Sequence, residues 1–207
     1  MNNTKERPIA LTAQEVNAVL AGNKTQHRVP VDIDHSVALT YHSLEAGGAV
    51  PERLDALPFD CPLGEIGDRL WVQELHARTE HQDYLTRTHY YAGNGDLRPD
   101  LRHDAGLLTK YDADDMPRWA SRLLLEITDI RIERVQDISG DDACAEGCPK
   151  FLTRHCFEAS KPYADRNAIS WFAGVWKEKY GESSYLDNPW VWVIEFKVVE
   201  PSEVQGG

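Results

Sequence analysis

The chain has 207 residues, of which 42% are hydrophobic, and a formal net charge of -12. That length and apolar share describe one folded domain with room for long insertions. The acidic balance argues against non-specific binding to nucleic acid or anionic membranes. No apolar run approaches the about 20 residues that span a bilayer. The first seven residues are polar and lack a signal-peptide core. The expectation is a cytoplasmic protein without a membrane partner.

Pro8 to Leu11 reads as a short strand or extended lead-in. A helix follows over residues 12 to 21, opened by the capping box Thr12-Ala13-Gln14-Glu15. Val16, Val19 and Leu20 give it one apolar stripe. Gly22 ends it, because glycine takes the left-handed conformation just past a helix without a Cβ clash. Lys24, Thr25, Gln26, His27 and Arg28 come next, as a dense polar and basic group. Two readings stay open here. One is a solvated helix exit whose cations complement the helix dipole. The other is a desolvated lysine fitted to act as base or nucleophile.

Residues 29 to 64 show no periodicity and carry four prolines and Gly47-Gly48, which marks a long loop region. Gly64 to Asp68 is a turn into an alternating strand, Arg69 to Leu75. Thr88 to Ala92 reads as another strand, followed by the turn Gly93-Asn94-Gly95-Asp96. Residues 93 to 115 are polar and read as irregular. Met116 to Arg122 leads into a long strand over residues 123 to 135. Ser139 caps a short helix that ends at Gly147. A longer helix runs from about Asn167 to Tyr180 with Ile169, Phe172, Ala173 and Trp176 on its apolar face, and Gly181 ends it. Pro189 precedes a final strand, Trp190 to Val199, and residues 201 to 207 form a frayed tail. Strands outnumber helices without a βαβ repeat. The fold class is therefore α+β, a curved mixed sheet or small barrel with flanking helices.

Cys61, Cys144, Cys148 and Cys156 match no paired metal-binding spacing even with His155 nearby. Neither metal nor cofactor is expected, and Cys144 reads as a small buried hydrophobe inside its helix. Most of the six tryptophans belong in a core. For Trp119 the core reading comes first and a second stays open beside it: Pro117, Arg118 and Arg122 surround it on a loop, and an arginine beside an indole can stack a base. The isolated histidines, His76 among them, show no ligand spacing and receive no role.

Four blocks in order resemble the ASCH family of the PUA-like β-barrel superfamily. They cover residues 9 to 28, 64 to 75, 122 to 147 and 190 to 199. The Lys-Thr-Gln turn, Gly-Asp-Arg-Leu-Trp-Val, Met-Pro-Arg-Trp-Ala-Ser-Arg and Asn-Pro-Trp-Val-Trp-Val-Ile-Glu-Phe are similar to longer ASCH-type proteins carried by phages and prophages. The resemblance implies a single ASCH-like domain over residues 1 to 200. Its long loop insertions lie near 29–63, 77–117 and 148–185. Some small ASCH proteins are metal-independent amidohydrolases that deacetylate N4-acetylcytidine, with a Lys and a Thr after the first helix and a Glu from a later one. Carried over, the lysine is Lys24 and the glutamate Glu146, but the threonine position holds His27. A histidine cannot attack as a hydroxyl does, although it can activate a water as general base. Thr25 is a substitute hydroxyl on a different face of the turn. The resemblance assigns Lys24, His27 and Glu146 to catalysis, and Thr25, Arg28, Trp119 and Arg118 to substrate. The implied partner is a modified nucleoside or nucleotide, or RNA or single-stranded DNA. The alternative to an amidohydrolase is a non-catalytic binding module, with a ribonuclease as a weaker third.

Overall fold

The computed structural model describes residues 4–32, 60–81, 84–92, 108–154 and 161–199. The turn expected at 93 to 96, His155 with Cys156, most of the segment 29–63 and the tail 201 to 207 lie outside them. Strands β1 (Glu6–Ala10), β2 (Gln26–Pro30), β3 (Arg69–Gln73), β7 (Leu124–Arg134) and β8 (Trp190–Val198) form a five-stranded sheet in the order β1-β3-β7-β8-β2. Strands β4 (His76–His81), β5 (Tyr84–Tyr90) and β6 (Leu108–Tyr111) form a three-stranded sheet in the order β5-β4-β6. The helices are α1 (Ala13–Leu20), α2 (Gly140–Ala145), α3 (Lys150–Arg154), α4 (Lys161–Tyr180) and α5 (Glu182–Leu186). β1 runs parallel to β3, whereas β3–β7 and β2–β8 are antiparallel. The larger sheet is thus mixed and the class α+β, as the order of elements in the sequence implies.

The chain divides into two compact units: Met1–Thr25 with Leu63–Thr128 and Phe196–Gly207, and Gln26–Pro62 with Asp129–Glu195. In the first, Thr12 caps α1 by accepting the Glu15 amide while Glu15 bonds back to the Thr12 amide. Val16 and Val19 are buried, but Leu20 turns to solvent. Gly22 sits at φ +66°. The amides of Gly22 and Asn23 bond the carbonyls of Val19 and Ala18, the paired closure of a Schellman motif. The turn into β3 is held by Asp68, whose carboxylate accepts from the Lys5 and Glu65 amides and from Arg7 at 2.6 Å. Burial pushes that carboxyl up, yet these three donors outweigh it and leave it below its ordinary 3.8.

In the second unit α4 packs its Ala168, Phe172 and Trp176, spaced at one helical turn, on Val135, Ile138 and Ala143. Ile169 is only partly buried against this cluster, as is Cys144. Ser139 caps α2 by accepting the Asp142 amide at 3.0 Å. The helix closes with Gly147 at φ +104°, and Gly147 and Cys148 bond back to Cys144 and Ala143. Glu146 is therefore the C-cap residue of α2.

Several elements depart from the sequence expectation. β2 occupies a stretch that reads only as polar turn and loop. β4 and β6 fall at His76–His81 and Leu108–Tyr111, in or at the edge of the insertion expected near 77–117, where only Thr88 to Ala92 reads as a strand. α4 begins at Lys161, six positions before the expected start.

Candidate functional site

The polar run after Gly22 is not a solvated helix exit. Lys24, Gln26, His27 and Arg28 are each at most 4% exposed, whereas Thr25 faces solvent. The cause is strand pairing. Gln26 lies opposite Glu195 and Arg28 opposite Val193 on β8, so a basic sequence becomes a buried strand. Alternation then puts Gln26 and Arg28 on one face and His27 on the other.

On the Gln26–Arg28 face an ionic network is assembled. Arg28 donates to Glu146 Oε1 at 3.1 Å, to Glu133 Oε2 at 3.0 Å and to the side-chain oxygen of Gln26. Its guanidinium lies 5.7 Å from the Phe172 ring centroid. Gln26 in turn donates to Asp142 at 3.0 Å and to Glu195 at 3.4 Å. Arg131 closes the network on the half-buried side with bonds to Glu133, Glu195 and Asp142 of 2.6, 2.5 and 3.0 Å. Burial pushes the Asp142 carboxyl up. The Ser139 hydroxyl, Gln26 and the two arginines overcome that and hold it below 3.8. Burial works against the Arg131 charge too, but its carboxylate partners raise its pKa further.

His27 meets Lys179 of α4 instead, with Nε2 3.4 Å from Nζ. Thr25 gives its carbonyl to the Phe196 amide. Lys24, in the first unit, is ion-paired with Glu15 at 3.6 Å. Of the residues expected from the sequence, Arg28 and Glu146 meet directly in the second unit. Lys24, Trp119 and Arg118 belong to the first. Trp119 is 65% exposed on a 3₁₀ turn, Arg118–Ala120. Arg118 turns to Glu6 at 2.7 Å, and the cation over the indole is Arg78, at 5.4 Å.

Sequence reasoning missed Glu133, Asp142 and Arg131, whose alternation within a strand and place in a first helical turn look like ordinary surface charge. It also missed Arg78 and His76, which stand two apart on β4 and share a face. Among the described residues no group of His, Cys, Asp and Glu is arranged to hold a metal ion, and no helix is long and apolar enough to cross a membrane.

No family model matches the chain, and no curated protein matches it significantly. Two solved structures are similar to it. One is an ASCH domain from Lactobacillus crispatus JV V101, 14% identical, covering 94% of this chain and 79% of that one with a TM-score of 0.36. The other is a protein of family model DUF984 from Enterococcus faecalis V583, 15% identical, covering 92% and 71% with a TM-score of 0.38.

Proposed function

We propose that the chain is an ASCH-type protein that binds a modified nucleoside or nucleotide through the polar strand β2 and Glu146. The observation that carries this reading is the buried set Arg28, Gln26 and Glu146, fixed on a strand and a helix cap. Recognition of a polar heterocycle needs donors and acceptors that are already oriented and dry. A base edge that replaces one bond of the network meets a carboxylate acceptor and amide or guanidinium donors at once. Binding without hydrolysis is favoured because the buried positions of the run offer no hydroxyl nucleophile. Thr25 is exposed, and Lys24 is engaged by Glu15 as an ion-paired donor.

A second reading rests on His27, buried with an ammonium beside its Nε2. There the imidazole takes a proton from water and the hydroxide adds to the N4-acyl carbonyl. The C–N bond then breaks as N4 regains a proton, which gives a carboxylate and cytidine. Oriented donors would stabilise the oxyanion.

Cytidine and N4-acetylcytidine are titrated into the protein by calorimetry, with acetate release followed by mass spectrometry. Glu146→Gln and His27→Gln are run beside the parent. Binding weakened at least about tenfold by Glu146→Gln, with no acetate, is the expected result; that is the scale of one lost charge-assisted bond. Acetate release abolished by His27→Gln, with binding intact, establishes the hydrolase instead. No affinity for either nucleoside overturns both.

A further inference from the structure

Trp119 is a large indole left in water on a turn that has little freedom to hide it. Gln73 donates to the carbonyls of Asp114 and Met116 at 3.1 and 3.2 Å. The Tyr90 hydroxyl donates to Ala120, and the Ser121 hydroxyl to Val72, both at 2.8 Å. Met116 and Ala120 are buried on either side of the indole. An aromatic that forfeits its burial on so rigid a support is available for stacking.

Beside it stands an arginine whose position is built. His76 is fully buried, and its ring stacks on Tyr111, its cross-strand partner, at 5.4 Å and 17°. Its Nδ1–H points at the Glu74 carbonyl, 3.1 Å away. Burial drives its pKa below the ordinary 6.5, with Arg78 adding to the effect. A neutral ring with Nδ1 protonated has Nε2 as an acceptor. Arg78 donates to that nitrogen from Nε at 3.3 Å, and its Nη2, 3.2 Å from the same atom, donates to the Asp115 carbonyl at 3.3 Å. The guanidinium lies 4.4 Å from the Tyr111 centroid and 5.4 Å from that of Trp119. Among the described residues these bonds use Nε and Nη2 and leave the Nη1 edge for an incoming acceptor.

We infer that the first unit carries a nucleotide site of its own, with the base stacked on Trp119 and the phosphate on the Arg78 guanidinium. The chemistry is that of a planar heteroaromatic ring joined to a phosphate. Stacking on an indole tolerates any base, and a fixed guanidinium fork matches phosphate oxygens. Asp112, Asp114 and Asp115 flank the site and Glu6 occupies Arg118. The local charge therefore suits one phosphate and repels a long tract. This site stands independently of the nucleoside reading of β2 and Glu146.

The test is an NMR titration of the Trp119 indole Nε1–H resonance, identified by its loss in Trp119→Phe. Probes are cytidine, cytidine 5′-monophosphate and a short single-stranded oligocytidylate. The monophosphate is expected to bind more tightly than cytidine. Trp119→Ala is expected to weaken it about tenfold, and Trp119→Phe, read from other shifted amides, much less. Arg78→Lys keeps the charge but not the fork, and should weaken the monophosphate several-fold while leaving cytidine unchanged. All of these affinities are read from resonances of the first unit, which report this site and not the one at β2 and Glu146 in the second. A tighter oligonucleotide with a salt dependence of about one phosphate identifies a strand as the source, and equal affinity a free nucleotide. Monophosphate affinity unchanged in Trp119→Ala, with the variant folded, overturns the inference, as does a monophosphate no tighter than cytidine.

Discussion

At the residue scale the second unit turns on Arg28. Its side chain is 1% exposed, and that of its partner Glu146 is 5% exposed. So little solvent leaves neither charge screened. Removing one member of a buried pair strands the other, which costs about 3–5 kcal/mol. Arg28→Ala should therefore lower the unfolding free energy, measured by urea denaturation at neutral pH, by that amount. Glu146→Gln, which keeps shape and an acceptor, should cost less. Combined, the two changes should cost less than their sum by about 0.5–3 kcal/mol, because the stranded carboxylate is gone. Strict additivity in chemical denaturation would mean that Glu133 and Asp142 hold Arg28 without Glu146.

Elements show where sequence speaks clearly and where it falls silent. Helix ends were legible: Thr12, Gly22, Ser139 and Gly147 all act as caps. Capping depends on one side chain or one missing Cβ within a few residues, so the signal is local. Gly22→Ala meets no neighbouring atom, yet φ +66° strains any other residue. About 1–2 kcal/mol should be lost, with Gly22→Asn recovering part of it in thermal melts. The Ser139 hydroxyl accepts the Asp142 amide and donates to its carboxylate at 2.7 Å. Ser139→Ala should cost about 1 kcal/mol and let the Asp142 carboxyl rise toward 3.8, a shift that carbon-detected NMR titration follows. β2 was not legible. Gln-His-Arg has neither alternation nor β-branched residues, and only its pairing with Val191, Val193 and Glu195 makes it a strand. β4 fails the same way, because His76 and Arg78 mimic surface residues until Tyr111 is brought opposite. The charged site was half legible for that reason. Arg28 and Glu146 could be named from the order of motifs, but the carboxylates that surround them depend on nonlocal pairing.

Across the whole molecule the perturbed groups that titrate on the acid side share one direction with pH. His76, Asp68 and Asp142 all have pKa values below their ordinary ones. For each, the unfolded chain binds its proton more readily than the folded one. Stability from these groups is fully present above the unfolded pKa and is lost as pH falls through the folded one. The loss should come in two stages. The His76 contribution begins to fade just below 6.5, and the two carboxylates follow only below 3.8. His76→Gln separates the stages, since a glutamine amide can donate to the Glu74 carbonyl and accept from Arg78 without titrating. Urea unfolding across the acid range should show the variant losing less stability than the parent between the two stages, and falling in parallel with it below them. Parallel curves throughout would mean that His76 remains neutral in the unfolded chain too, or that Arg78 releases it at no cost. Because protonation forbids Nε2 from accepting, the same acid step should also free the Arg78 guanidinium. Affinity for cytidine monophosphate at Trp119 should then decline together with the His76 stage of stability, before either carboxylate titrates.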